Sequence, residues 1–153
     1  MTNQITKLPK FNVTLGDGSI VSEDYFFNQK VVLFFYPKDD TPGCTIEAQD
    51  FSKLNNEFID LDIKVYGISK DNQNSHKKFI SKYELLVDLL FDHDGSMCNA
   101  FDVWKEKKMY GKQYYGIERS TFLINNEGQI IQSWRKVKVD GHVMDVLNQA
   151  HKL

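Results

Sequence analysis

Cysteine, proline and long apolar runs are all scarce in this sequence, and each shortage excludes a class of protein. The two cysteines, Cys44 and Cys98, are too few for a disulfide scaffold or for a zinc site built on cysteine. The longest apolar run, Val31 to Tyr36, falls far short of the roughly 20 residues that a membrane helix needs. The first residues include Lys7 but no continuous apolar core, unlike a secretion signal. We therefore expect no membrane partner and a cytoplasmic location.

Charge of neither sign dominates the chain. Nineteen lysines and arginines stand against 21 aspartates and glutamates, a formal net charge of -2. This balance provides no strongly cationic surface, and we expect no nucleic-acid partner. The 153 residues contain three prolines, no Ser/Gly-rich linker and no internal repeat, which favours a single domain over residues 1–153. If the two cysteines matter to function, they matter through their reactivity.

The first half of the chain has the pattern of a β-α-β unit. Two runs rich in β-branched and aromatic residues, Lys30 to Tyr36 and Ile63 to Ser69, are typical of strands buried on both faces. Between them, apolar residues recur at spacings of three, three and four, as on one face of a helix: Ala48, Phe51, Leu54 and Phe58. A helical connection of this length predicts that the two strands are parallel neighbours.

The remaining segments extend this unit into a central mixed β-sheet flanked by helices. We predict strands near 11–15 and 19–21, a helix over 74–83, a strand at 89–92, a short helix after Gly95, a hairpin of 120–124 and 129–134 turning at Gly128, and a last helix with the core stripe Val143, Val146, Leu147 and Ala150. This order of elements resembles an α/β domain with a thioredoxin-like fold. Because that fold hosts many chemistries, function must be argued from a site.

The loop after the first central strand carries the most reactive side chain. Thr41 is a good helix N-cap and Pro42 is a preferred first helical residue, so Cys44 falls in the first turn of the helix. Unpaired backbone N–H groups and the positive end of the helix dipole there favour thiolate over thiol. The polar residues 38–41 predict an open position that solvent reaches. The alternative is that Cys44 is a small buried hydrophobic residue.

Several segments resemble one known family. They are the run Phe34-Phe35-Tyr36, the motif Pro37-xxx-Thr41-xx-Cys44, and the stretches Asp92 to Trp104 and Tyr110 to Ile124. The motif resembles the active-site signature of peroxiredoxins, and its version Thr41-Pro42-Gly43-Cys44-Thr45 resembles that of the bacterioferritin-comigratory-protein or Q-type subfamily. The resemblance implies a thioredoxin-like fold with additional N-terminal strands. It also implies a thiol-dependent peroxidase that reduces hydrogen peroxide and organic hydroperoxides without a metal, haem or flavin cofactor.

The resemblance also implies roles for individual residues. Cys44 corresponds to the peroxidatic cysteine, which peroxide oxidises to sulfenic acid, Thr41 to a hydroxyl partner and Arg119 to a cation beside the sulfur. The residues implied to shape the pocket are Pro37, Pro42 and Gly43.

The residues alone leave alternatives open for two of these roles. Arg119 could point to solvent from its strand and pair with a carboxylate such as Glu118 or Glu47. Thr41 could do no more than cap its helix. Glu47, one turn after Cys44, could hold Arg119 or lie on a solvated helix face.

The sequence departs from the two-cysteine design of many Q-type members. The place five residues after Cys44 is occupied by Gln49, and residues 71–86, on the next helix, contain no cysteine. Only Cys98 remains, on a short helix of expected mixed exposure, and packing is favoured there over a resolving role. We therefore expect a monomer with a one-cysteine cycle closed by thioredoxin, glutaredoxin or a small thiol. The alternatives are a Cys44–Cys98 disulfide cycle and a non-catalytic chaperone or interaction domain.

Other clusters of chemically active residues favour structural roles. The segment Asp92 to Gly95 is similar to a metal-binding loop, but it lacks the acidic residue that closes a calcium-binding loop. His93 and Cys98 are only two possible ligands, too few for a zinc site. A capped turn before a helix is therefore favoured. No metal is expected. Lys105 to Lys108 is expected to be a solvated face. Three histidines are expected on exposed helical segments: His76, His142 and His151. Four aromatic residues are expected mostly in the core, with an apolar wall for organic hydroperoxides as the alternative: Phe34, Tyr36, Phe51 and Trp104.

Overall fold

The computed structural model describes residues 5–153. The strands in this range are β1 (Asn12–Thr14), β2 (Ile20–Ser22), β3 (Lys30–Phe35), β4 (Ile63–Ser69), β5 (Asp88–Phe91), β6 (Trp104–Met109), β7 (Lys112–Ile117), β8 (Ser120–Ile124) and β9 (Ile130–Trp134). The helices are α1 (Pro42–Lys53), α2 (Asn55–Asp60), α3 (Gln73–Tyr83), α4 (Ser96–Ala100) and α5 (His142–Ala150), with a 3₁₀ turn at Glu23–Phe26.

Seven of the strands form one mixed sheet in the order β2-β1-β5-β4-β3-β8-β9. The central strands β3 and β4 are parallel, as the β-α-β pattern predicted, and β5 pairs in parallel with β4. Strand β8 pairs with the other side of β3 in antiparallel register, with Ser120 opposite Phe35. The predicted mixed α/β sheet is therefore confirmed, and the chain after β7 returns to the carboxyl end of β3.

Alternate residues of β3 enter two separate hydrophobic cores, one on each face of the sheet. The first, which we call the Cys44 core, includes Val32, Phe34, Tyr36, Cys44, Phe51 and Val146. The second, which we call the Cys98 core, includes Val31, Leu33, Phe35, Cys98, Phe101 and Phe122. Because side chains along a strand point alternately to opposite faces, the sheet separates the two cysteines.

Two features of the fold differ from the sequence-based predictions. The helix predicted through Phe58 is interrupted at Leu54, which is partly buried, while the other residues of its predicted apolar face are buried: Ala48, Phe51 and Phe58. The hairpin of β6 and β7 was not predicted, because its residues are mostly exposed and show no alternation of apolar and polar positions. Its turn, Tyr110 and Gly111, has φ angles of 53° and 75°, as in a type I′ turn. Within residues 5–153, no helix is long and apolar enough to cross a membrane.

Candidate active site

The loop between β3 and α1 places Cys44 as the sequence predicted, in the first turn of a helix. Thr41 is extended, with φ -100° and ψ 156°, and Pro42 is the first helical residue. The first helical backbone bond runs from the Thr45 N–H to the Thr41 carbonyl at 2.8 Å. Gly43 and Cys44 precede this bond, where a helix leaves its backbone N–H groups without intrahelical partners. Two donors are therefore available close to the sulfur.

The side chain of Thr41 does not cap the helix. Its hydroxyl instead donates to the carbonyl of Lys38 at 2.8 Å, within the same loop. The expected capping bond is therefore absent here, and Thr41 stabilises the loop. The hydroxyl oxygen of Thr41, three residues before Cys44, can still accept a hydrogen bond.

Cys44 is buried, not open. Only 2% of the residue is exposed, so the prediction of a position that solvent reaches is wrong. The reason is that the first turn of α1 packs Cys44 into the Cys44 core, among aromatic side chains that come from other parts of the chain. Three of the four aromatic residues named from the sequence belong to this core, namely Phe34, Tyr36 and Phe51, whereas Trp104 packs against the Cys98 core.

Arg119 contacts the sulfur directly. Its Nη2 atom lies 3.3 Å from Cys44 Sγ, and its Nη1 atom donates to Glu47 Oε1 at 2.7 Å. The antiparallel pairing of β8 with β3 puts Arg119, which immediately precedes Ser120, beside the loop that carries Cys44. The guanidinium therefore does not point to solvent: its side chain is only 16% exposed.

Burial and charge act in opposite directions on this guanidinium. Burial favours the neutral form, but the negative charges of Glu47 and Cys44 outweigh it, so that the pKa of Arg119 is raised. Arg119 therefore remains a cation and faces two acidic groups at once.

Glu47 is completely buried and holds Arg119 with only one of its oxygens. Its Oε2 atom has no hydrogen-bond partner and lies 4.0 Å from His142 Nε2. Burial raises the pKa of Glu47 to about 7, although Arg119 opposes the shift. The alternative of a solvated helix face is therefore wrong for Glu47.

Two histidines that were predicted to be exposed are buried. His142, on α5, is 6% exposed and shares a hydrogen bond with the hydroxyl of Thr121 at 2.8 Å. Burial lowers its pKa to about 4. His76, on α3, is 3% exposed and contacts Asp39. The sequence contained no local pattern for either position, because their partners are remote along the chain.

Two further residues lie near the guanidinium: Gly43, which the resemblance assigned to the pocket, and Lys107, which was assigned no site role from the sequence. Gly43 lies so close to the guanidinium that a Cβ atom at this position would be 3.2 Å from Arg119 Nη2. Lys107, assigned to a solvated face, is only partly exposed and donates to the carbonyl of Ile117 at 2.6 Å. Burial first, and then the charge of Arg119, lower the pKa of Lys107. Its amino group therefore lies in the electrostatic environment of the site.

Cys98 is fully buried in the Cys98 core, not of mixed exposure as predicted. Its backbone N–H and that of Met97 donate to the carboxylate of Asp92. Burial and the charge of Asp92 raise the pKa of the Cys98 thiol. Asp94 accepts from the N–H of Ser96, so the segment is the predicted capped turn. Among residues 5–153, no group of three or more His, Cys, Asp or Glu side chains could hold a metal ion.

Comparisons with known proteins agree on one family. The family model described as AhpC/TSA matches residues 5–133. Peroxiredoxin Bcp of Bacillus subtilis is 48% identical over 141 residues, which cover 92% of this chain and 90% of the relative. Peroxiredoxin Bcp of Xanthomonas campestris is 46% identical over 151 residues, which cover 96% and 94%.

Solved structures agree with this result. The bacterioferritin comigratory protein of Xanthomonas campestris, studied for its alkyl peroxide reduction activity, superposes with a TM-score of 0.86 at 45% identity, over 93% of this chain and 90% of that one. A mutant of Xylella fastidiosa PrxQ superposes with a TM-score of 0.89 at 37% identity, over 100% of both chains. The thioredoxin-like peroxiredoxin fold is therefore confirmed. Because the family model spans most of the chain and relatives share nearly half of its residues, the chain belongs to the AhpC/TSA family and is a Bcp-type peroxiredoxin, a thiol-dependent peroxidase.

Proposed function

We propose that Cys44 is the residue that reacts with peroxide, and that it does so in a one-cysteine cycle. The observation that carries this proposal is the 3.3 Å contact between Arg119 Nη2 and Cys44 Sγ. A guanidinium aimed at a sulfur favours the thiolate, which is the nucleophilic form of cysteine.

In the first step, the thiolate of Cys44 attacks one oxygen of the hydroperoxide. A sulfur–oxygen bond forms as the O–O bond breaks, so that the sulfur is oxidised and the peroxide is reduced. The leaving oxygen takes up a proton and departs as water or an alcohol, and Cys44 becomes a sulfenic acid.

Thiolate formation alone cannot account for a fast reaction. An ordinary thiol with a pKa of about 8.5 is about 3% ionised at pH 7, so complete ionisation increases the reactive fraction only about 30-fold. The rest must come from groups that stabilise negative charge on the leaving oxygen. Arg119 and the backbone N–H groups of Gly43 and Cys44 are the groups that we assign to this role. The Thr41 hydroxyl donates its hydrogen to the Lys38 carbonyl, so we assign it the role of accepting a hydrogen bond from the O–H of the hydroperoxide, with Pro37 and Pro42 shaping the entrance.

The substrates that we propose are hydrogen peroxide and organic hydroperoxides. The Xanthomonas campestris relative has been studied for its alkyl peroxide reduction activity. In this chain Phe34 and Phe51 are completely buried in the same core as Cys44, so the proposal for organic hydroperoxides is supported by this relative and not by an exposed aromatic wall.

The cycle closes with an external thiol. A first thiol attacks the sulfenic acid, forms a mixed disulfide with Cys44 and releases water. A second thiol then attacks the mixed disulfide and restores Cys44, while the two reductant sulfurs leave as a disulfide. Burial of Cys98 on the opposite face of the sheet supports this cycle over an internal disulfide. We propose thioredoxin as the reductant, and a single domain over residues 1–153 that acts as a monomer in the cytoplasm.

Competition kinetics with hydrogen peroxide test the proposal. The wild-type protein should consume peroxide orders of magnitude faster than free cysteine, Cys44→Ser should abolish this reaction, and Cys98→Ser should preserve it. A wild-type rate no faster than that of free cysteine would instead support the non-catalytic interaction domain. Size-exclusion chromatography tests the monomer.

A further inference from the structure

A buried carboxylate lies in the loop that precedes the helical turn of the reactive cysteine. Asp39 is 7% exposed and belongs to the segment between β3 and α1. Its Oδ1 accepts from the hydroxyl of Tyr36 at 2.6 Å, and its Oδ2 accepts from the hydroxyl of Ser75 at 2.8 Å. The Nδ1 atom of His76 lies 2.8 Å from the same Oδ2. Two of these three partners are on α3, so the carboxylate joins the loop to that helix.

His76 is held on both sides of its ring. Its Nε2 atom lies 2.9 Å from the carbonyl oxygen of Leu90 in β5. A carbonyl oxygen can only accept, so Nε2 carries a hydrogen. The contact on the other side, between Nδ1 and Asp39 Oδ2, therefore holds a second proton between the ring and the carboxylate. This bond between two buried side chains joins α3 to the loop.

We propose that His76 is a positioning residue for the peroxide reaction: through Asp39, it fixes the loop that carries Thr41 and leads directly into the helical turn of Cys44. The inference rests on the proposed role of Cys44, because the effect is expected at that sulfur. His76 touches neither the substrate nor Cys44, and acts from α3, 37 residues away from Asp39.

The loop needs such support because its backbone is constrained next to the reactive residues. Asp40 has a φ of 58°, in the left-handed region that is unfavourable for residues with a side chain. Strained residues at functional sites persist only where the surrounding contacts over-determine their conformation. The backbone N–H of Asp39 also donates a hydrogen bond of 2.8 Å to the carboxylate of Asp71, which lies beyond the end of β4. These contacts fix the backbone immediately before Thr41.

A second contact between the loop and α3 is exposed and provides the control. The carboxylate of Asp40 accepts from Lys82 at 2.8 Å and from the hydroxyl of Tyr83 at 2.6 Å. Exposed ion pairs contribute little, because water competes for both partners. The pair of Lys82 and Asp40 therefore spans the same two elements without the buried bond of His76.

Two substitutions of His76 separate positioning from simple stability. In His76→Asn, the side-chain amide nitrogen replaces Nδ1 and still donates to Asp39, but the bond to Leu90 is lost. In His76→Gln, the amide nitrogen reaches the position of Nε2 and keeps the bond to Leu90, but the bond to Asp39 is lost. Both variants empty ring space in the core, so both are expected to lose comparable stability.

The rate constants of the two variants with hydrogen peroxide are expected to differ. His76→Gln should react about 10-fold to 100-fold more slowly than the wild-type protein, because a small displacement of reacting groups costs rate steeply. His76→Asn should stay within a few-fold of wild type, and the control Lys82→Gln should match it. Equal rates for the Asn and Gln variants would overturn the proposal.

Alkylation of Cys44 by iodoacetamide provides a readout that needs no peroxide. If the wild-type protein failed to reduce peroxide, the function proposed above would fall, while a lower alkylation rate in His76→Gln than in His76→Asn would still support positioning. Should His76→Gln not fold, Ser75→Ala removes one bond to the same carboxylate without emptying the core. It should slow alkylation in the same direction, and an unchanged rate would contradict the inference.

Discussion

Arg119 lies 75 residues after Cys44 in the chain, yet its Nη2 atom is 3.3 Å from the sulfur. The same guanidinium is fixed from the other side by Glu47, at 2.7 Å from Nη1. Because the planar guanidinium presents its N–H groups in a fixed fork, one carboxylate is enough to set the direction in which the other N–H groups point. The ion pair therefore orients the group that faces the sulfur.

Replacing Arg119 should reduce reactivity while the fold survives. We expect Arg119→Ala to lower the second-order rate constant with hydrogen peroxide by about 100-fold to 1,000-fold, as when a donor to a developing charge is removed. Arg119→Lys should recover only part of this loss, because one ammonium cannot serve Glu47 and Cys44 with the same fork. Stopped-flow kinetics measure both rates, and circular dichroism checks the fold.

The other arginine provides a matched control. Arg135 donates to the carbonyls of Phe101 and Asp102 and lies over the ring of Phe122. Arg135→Lys should change stability without changing the peroxide rate. If Arg119→Ala kept the wild-type rate, Arg119 would have no part in the reaction.

Gly43→Ala should separate activity from stability. A Cβ atom at this position would lie 3.2 Å from Arg119 Nη2, so the guanidinium must move by a few tenths of an ångström. The helix itself should gain, because alanine is a better helix former than glycine by about 1 kcal/mol. We expect a several-fold lower peroxide rate with unchanged or higher resistance to urea. Gly16→Ala, where a Cβ atom would meet nothing within 4 Å, is the control. A rate equal to wild type in Gly43→Ala would show that the guanidinium tolerates the displacement.

Local patterns predicted the elements that position Cys44. The β-branched run of β3 and the Thr41-Pro42 start of α1 are set by residues that are neighbours in sequence, so the carboxyl end of a strand and the first turn of a helix could be placed without the structure. The contact between Arg119 and Cys44 could not be predicted in this way, because it depends on the pairing of β8 with β3. The residues alone favoured an Arg119 that faces solvent, and only the family resemblance favoured the site.

Burial of polar groups was the least predictable property. His76 and His142 lie on helices whose other residues include exposed polar side chains, and nothing nearby in sequence distinguishes them from those residues. Their partners, Asp39 and Thr121, are 37 and 21 residues away. Cys44 was expected in the open for a similar reason: the polar loop before it is local, while the aromatic core that covers it is assembled from the whole sheet.

Oxidation with one equivalent of peroxide should modify Cys44 alone. Cys98 is fully buried on the opposite face of the sheet, and burial and Asp92 raise the pKa of its thiol, so it is disfavoured as a nucleophile. Mass spectrometry after trapping with a sulfenic-acid reagent should show one adduct on the peptide of Cys44 and none on that of Cys98. Cys98→Ala should give the same adduct at the same rate. An intramolecular disulfide would instead require the sheet to open and would replace the one-cysteine cycle by a two-cysteine one.

The buried carboxyl of Glu47 should make stability depend on pH. Burial raises its pKa from 4.5 to about 7. The folded state therefore binds the proton more tightly than the unfolded state, and the resulting stabilisation is complete below about pH 4.5 and is lost as the pH rises through 7. The shift corresponds to about 3 kcal/mol of unfolding free energy. Glu47→Gln keeps an oxygen for Arg119 and cannot ionise, so it should lack this dependence.

Urea unfolding of both proteins between pH 4.5 and pH 8 measures the effect as a difference. The stability of wild type relative to Glu47→Gln should fall as the pH rises over the range in which Glu47 ionises. His142 contributes the opposite slope, because its pKa is lowered to about 4 and its stabilisation is lost as the pH falls from 6.5 towards that value. Because His142 Nε2 lies only 4.0 Å from Glu47 Oε2, the two contributions are not independent, and repeating the comparison in a His142→Asn background separates them. A difference that does not change with pH would mean that Glu47 stays ionised throughout, as a carboxylate held by Arg119 more strongly than burial opposes it.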